Sequence, residues 1–188
     1  IESYILSGKG NALFFVSPYS FDFDQWLLKQ NMSTNIVEML ENWGIRFEDK
    51  IAADVSSQVL TMESAPSDES FYAEGSVYRE NVNYPLFINL LPQTYTNLGA
   101  TLFWATPILI ENQENVIPYL ITSNLSWSYK VDPSKEKLIE TVPEFYKTQD
   151  YSQFETKTQN VGVQIRGPLN GLFTSYSIKD SNLIVIPD

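Results

Sequence analysis

Every apolar run in this chain is short and closed by a turn-forming residue. The two richest, residues 85–92 (PLFINLLP) and 102–110 (LFWATPILI), are interrupted by Asn or Pro and fall well short of the ~18 consecutive apolar residues of a membrane span. Residues 12–16 (ALFFV), ended by Ser17-Pro18, predict a strand covered on both faces. With 188 residues, 43% of them hydrophobic and 19% charged, the chain has enough apolar material for one sizeable core.

The remaining pattern predicts an α/β domain spanning residues 1–188. Residues 1–6 read as the last turn of a helix stopped by Gly8 and Gly10. Residues 19–34 read as a polar, aromatic-rich connection with one helical turn near residues 26–29. The clearest helix starts at Asn35, with Glu38 at the capping-box spacing. Ile36, Leu40 and Trp43 form its buried stripe and Gly44 its exit. Strands are expected within residues 51–55, 59–62, 84–91, 101–110, 116–122, 161–166 (alternating, half-exposed) and 183–186. A turn at 112–115 suggests that two of these form a hairpin. Asp132 followed by Pro133 predicts a helix toward Val142. Residues 63–75 read as a hydrophilic loop and 146–158 as irregular chain. A mixed, largely parallel sheet flanked by helices is the architecture this order predicts.

Charge and composition remove several functions. Twelve Lys and Arg face twenty-three Asp and Glu, a net charge of −11, and residues 1–129 hold fifteen of the acidic but only five of the basic side chains. Such a surface repels nucleic-acid phosphates and anionic lipid headgroups. The chain has neither Cys nor His, so thiolate nucleophiles, Ser–His–Asp systems and His-ligated zinc cannot be built within it. No cofactor is implied.

Few constellations suggest chemistry. Asp22 and Asp24 (FDFD) would share a strand face and could hold a hard cation, but no third oxygen ligand lies nearby in sequence, and a charged loop is the simpler reading. Glu63, Asp68, Glu69 and Glu74 read as a solvated acidic loop. Gly8-Lys9-Gly10 precedes a strand, the reverse of a phosphate-binding loop, and residues 167–171 (GPLNG) read as a turn. Trp43 and Trp104 fall in core patterns. Trp26 and Trp127 lie near loops, where an aromatic ring can stack on a sugar or a partner, although packing is its commoner role.

Several segments, taken in order, are similar to a known family. They are residues 8–18 (GKGNALFFVSP), 35–54 (NIVEMLENWGIRFEDKIAAD), 83–96 (NYPLFINLLPQTYT), 117–127 (IPYLITSNLSW), 161–173 (VGVQIRGPLNGLF) and 183–188 (LIVIPD). Together they resemble the extracytoplasmic domain of ABC-transporter auxiliary proteins, the group that includes the gliding-motility component GldG. The resemblance implies an α/β fold related to flavodoxin-like and class I glutamine amidotransferase-like sheets. It implies a periplasmic or otherwise extracytoplasmic location, tethering by membrane helices outside this chain, and an ABC permease and ATPase as partners. It carries over no catalytic residue, so a non-enzymatic accessory or scaffolding role is the leading expectation. A carbohydrate- or peptide-binding receptor domain, and a metal-dependent hydrolase using Asp22, Asp24 or Asp54, are the alternatives. The candidate ligand-binding residues are Thr122, Ser123, Trp127 and Gly167. An architectural role is the expected one for them, because Thr-Ser at a strand end bonds the adjacent turn and Gly permits a left-handed backbone.

Overall fold

The computed structural model describes residues 1–8, 11–31, 35–64, 78–90, 100–111, 114–132, 134–135 and 137–187. Helix α1 (Glu2–Leu6) is the expected helical turn, followed by Gly8 at φ 73°. Strand β1 (Ala12–Phe15) also forms where expected, but its pleat buries Phe14 and leaves Leu13 and Phe15 exposed. The strand is therefore covered on one face, not two. A run of apolar letters does not specify whether its second face finds a partner.

Residues expected to be an irregular connection form a hairpin instead, β2 (Tyr19–Asp22) with β3 (Leu27–Gln30), in the register Tyr19↔Gln30 and Asp22↔Leu27. Asp22 sets the reversal. Its Oδ1 accepts the backbone N–H of Asp24 and of Gln25, both at 3.1 Å, and its Oδ2 accepts Lys29 Nζ at 2.7 Å. This local carboxylate-to-backbone bonding makes a tight reversal in place of the expected connection.

Helix α2 (Asn35–Asn42) buries Met39 and Leu40, and Trp43 and Gly44 (φ 89°) close it as its sequence indicates. Beyond it, β4 (Ile45–Phe47), β5 (Lys50–Asp54) and β6 (Ser57–Ser64) lead to the long β7 (Tyr78–Leu90). The run expected to be one strand over 101–110 divides into β8 (Ala100–Phe103) and β9 (Ile108–Ile110). The chain changes sheet between them. Trp104 N–H still bonds Leu86 O at 3.0 Å, whereas Ala105 O accepts Ala52 N–H at 2.8 Å and Pro107 O accepts Glu48 N–H at 2.9 Å. Strand β10 (Val116–Ile121) does not form a hairpin with β9, because β9 pairs with β4 and β10 with β12 (Asn160–Arg166).

Strand β11 (Ser126–Lys130) lies antiparallel to β5. No helix spans the described residues of 132–142. Asp132 instead accepts the backbone N–H and the hydroxyl of Ser134, closing a local turn, and the one-turn helix α3 (Pro143–Tyr146) begins later. Residues 147–158 are irregular, as expected, apart from a 3-10 turn, Tyr151–Gln153. Short strands β13 (Leu169–Asn170) and β14 (Ser177–Ile178) precede β15 (Asn182–Ile186). Most of the expected acidic loop, residues 65–75, lies outside the described residues, while Glu63 and Ser64 belong to β6.

The expected α/β class is thus overturned. The largest sheet has four strands in the order β1-β15-β12-β10, and β6-β7-β8 form a three-stranded meander beside two-stranded pairs. Among the described strands only β1 and β15 pair in parallel. Helices of five, eight and four residues do not cover a sheet in layers. The chain is mostly β, in several small sheets, and the flavodoxin-like and amidotransferase-like comparison falls with the class. The physical cause is connection length: a parallel neighbour needs a crossover of about a dozen residues or more, usually helical, and most links here are tight turns.

Helices α1 and α2 and strands β4 and β9 pack on one face of the four-stranded sheet, bringing Leu40, Trp43 and Ile108 against Val163, Ile165 and Val185. Residues 161–165 are buried throughout, not alternately exposed, and Gln164 is satisfied there by donating to Asn182 Oδ1 at 2.6 Å. A second core gathers Ile51, Tyr84, Leu86, Trp104, Trp127 and Tyr146, and a smaller third lies around Ala52, Ile88 and Val161.

Candidate functional site

Strand β5 ends in a carboxylate that is fully buried, Asp54. Its Oδ2 accepts the backbone N–H of Ser123 at 2.7 Å, and its Oδ1 accepts the Ser123 hydroxyl at 2.6 Å and the backbone N–H of Ser56 at 2.9 Å. Charge-assisted donors of this kind offset the cost of removing a carboxylate from water. The Ser123 oxygen also accepts Leu125 N–H at 3.0 Å, so one side chain caps the turn and holds β5.

Thr122 works on the opposite side of the same junction. Its N–H bonds Gln159 O at 3.0 Å, and its hydroxyl oxygen accepts Gln159 N–H at 2.9 Å. Thr122 Oγ1 and Ser126 Oγ are 2.5 Å apart, and Gln159 Nε2 donates to Trp127 O at 2.6 Å. Trp127 itself is 2% exposed, stacked on Phe154 (centroids 5.2 Å apart, planes 12° apart) with Tyr151 at 4.9 Å.

The structure therefore brings Thr122, Ser123 and Trp127 together and leaves Gly167 apart. Gly167 follows the far end of β12 at φ 100°, where a Cβ would sit 2.9 Å from Asn115 Oδ1. At ~3.3 Å per residue it lies roughly 25 Å along the strand from Gln159. Trp127 is held as a core ring and offers no face for stacking. Sequence reasoning missed Ser126 and Gln159, and considered Asp54 only as a metal ligand. The hydroxyl-rich run Thr122–Ser126 beside a buried strand was a usable signal, whereas Gln159 had none.

The acidic candidates do not converge. No group of three His, Cys, Asp or Glu side chains placed to share a cation occurs among the described residues. Asp22 is engaged in its turn, and Glu63 pairs with Arg79 at 2.8 Å. Asp68, Glu69 and Glu74 lie outside the described residues.

A different constellation emerges between the β2–β3 hairpin and β8. A hollow of about 400 Å³ is walled by Tyr19, Phe21, Phe23, Phe87, Phe103 and Trp104, with Ser17 and Leu28 completing it. Phe21 stacks on Trp104 (3.8 Å, 12°), and Trp26 meets Phe21 edge-on at 5.7 Å. Trp26 (φ 51°) and Trp104 (φ 49°) are the two non-glycine residues with positive φ among the described ones. For an L-residue that conformation costs about 1–2 kcal/mol. Trp26 is pinned there by the Thr141 hydroxyl donating to its carbonyl, and Trp104 by its bond to Leu86. Burial, and then the nearby Asp49 carboxylate, push the Tyr19 phenol up to about 12, so it stays a neutral donor. A cleft of about 550 Å³ between β9 and β10 is larger, and its walls mix aliphatic side chains with Glu48, Lys157, Thr158, Gln159 and Asn160.

These features define a β-rich domain whose buried polar side chains lock strand to strand, with an aromatic hollow at one side. The family model described as ABC-type uncharacterized transport system matches residues 1–188, and the chain belongs to that family of transport auxiliary proteins. Neither a curated protein nor a solved structure gives a match. Among the described residues no helix is long and apolar enough to cross a membrane.

Proposed function

We propose that this chain is a non-enzymatic accessory domain of its ABC-type transport system, working on the extracytoplasmic face through contact with the permease and its ATPase, as in a GldG-like system. The observation that carries the reading is the family match over the whole chain. The extracytoplasmic placement rests on the segment-by-segment resemblance to GldG-like domains. A contact role is supported by the buried polar groups around Asp54 and Thr122, whose side chains are taken up in bonds to neighbouring strands and turns.

Capture of the full-length protein from native membranes in mild detergent tests the partnership: permease and ATPase subunits co-purify, and their absence refutes it. Protease added to intact spheroplasts cleaves the domain if it faces outward. Turnover of an ester, phosphate, glycoside or peptide, abolished by Asp54→Asn in protein that remains folded, would overturn the non-enzymatic part.

A further inference from the structure

We propose that the aromatic hollow between the β2–β3 hairpin and β8 binds an alkylated ammonium group, carried by a small organic cation or by a lipid headgroup. Its walls form a box and not a platform. Phe21 and Phe23 meet at 79°, Phe23 and Trp104 at 73°, Phe87 and Trp104 at 84°, and Phe87 and Phe103 at 78°. A saccharide needs a flat stacking surface and several hydrogen-bond partners. Among the lining side chains, polar atoms belong to Ser17, Tyr19 and the Trp104 indole. A methylated cation needs neither, because it is held by ring quadrupoles and dispersion.

Two observations separate this hollow from ordinary core. Phe23 and Phe103 line the hollow and remain 66% and 43% exposed, so their rings are open to a guest. Both left-handed tryptophans contact Phe21, so backbone strain gathers at this one cluster, as it does at binding sites.

Charge selects the ligand. The box is built from residues 17–104, within the part of the chain where acidic side chains outnumber basic ones threefold (fifteen to five over residues 1–129). Asp24 stands at the hairpin tip beside Phe23, and the Asp49 carboxylate acts on Tyr19. Lys29, the cation of the hairpin, is paired with Asp22 at 2.7 Å. The field therefore favours a positive guest.

Titration of the chain with choline chloride, against equal sodium chloride and the uncharged isostere 3,3-dimethylbutan-1-ol, tests the proposal by tryptophan fluorescence and calorimetry. Choline should bind at least about fivefold more tightly than the isostere, and Phe23→Ala should weaken it roughly three- to tenfold. Phe103→Leu provides a second, milder variant, with circular dichroism confirming that each is folded. Retention on phosphatidylcholine but not phosphatidylglycerol vesicles would identify a lipid headgroup as the source, and saturation by choline without retention would identify a free cation; either supports the box. Equal affinity for the isostere, no response to about 100 mM choline, or unchanged affinity in both folded variants would overturn it.

Discussion

Ser123 grips both oxygens of the buried Asp54 carboxylate, one through its backbone N–H at 2.7 Å and the other through its hydroxyl at 2.6 Å. The pair joins the end of β5 to the turn before β11, so it acts on the same junction that Ser126 and Gln159 close from the other side. Asp54→Asn places an amide N–H₂ where a donor already points, and should lower unfolding stability by about 2–4 kcal/mol. Ser123→Ala keeps the backbone bond and should cost about 1–2 kcal/mol. Urea unfolding of both single variants and the double variant checks this, with the double costing less than the sum of the singles.

Trp127→Ala should fail as a probe of ligand binding because it is a core truncation. Removing a ring that is stacked on Phe154 and 2% exposed should cost about 3–5 kcal/mol. Thermal unfolding followed by circular dichroism would show it, while Phe23→Ala, at an exposed ring, should shift the midpoint far less.

Gly162 lies opposite Leu120 where the β10–β12 register shifts. A Cβ at 162 would sit 2.8 Å from Leu120 Cβ and 2.9 Å from Cγ. Gly162→Ala should therefore destabilise by about 1–3 kcal/mol, and adding Leu120→Ala should recover part of the loss. Denaturant midpoints of the two variants decide it.

Stability should fall in alkali. Tyr19 and Tyr151 are each pushed up to about 12, foremost by burial, and Tyr84, Tyr129 and Tyr146 are also raised. A phenol raised in the folded state leaves stability intact below the unfolded value of ~10 and withdraws it as pH rises toward the folded value. Urea midpoints should thus be flat to pH ~9.5 and drop by pH ~11.5. Absorbance of tyrosinate at the same pH values should rise late, in step with unfolding.

The sequence announced most elements but not their partners. Helix α2 was legible because Ile36, Leu40 and Trp43 repeat at the helical period and Gly44 supplies the exit. The strands at 12–15, 50–54, 116–121 and 182–186 were legible as apolar runs, and that at 160–166 as an alternating strand, although its burial on both faces was not. What decided the class was pairing, and pairing is written in contacts far apart in the chain: Ala12 with Leu183, Ser126 with Asp54, Ile45 with Ile110. Two local misreadings had local causes. Asp22 and Asp132 each bond nearby backbone, the one turning a hairpin where an irregular connection was expected and the other closing a turn where the Asp-Pro pair suggested a helix start.

The site was half legible. The 117–127 segment drew attention to Thr122, Ser123 and Trp127, and these do meet, at Asp54 and Gln159. Gly167 lies past the other end of β12, in the left-handed conformation that glycine permits. The aromatic hollow was hidden because Phe21, Phe87 and Trp104 come from three separate strands or strand ends, and no spacing rule joins them.

The sheet change between Trp104 and Pro107 has a mechanical corollary. One continuous piece of backbone is stitched to β7 at its start and to β4 and β5 at its finish. A tug that peels β8 from the meander must also drag Ala105 off Ala52 and Pro107 off Glu48. Force applied to either sheet is therefore passed to the other through this segment.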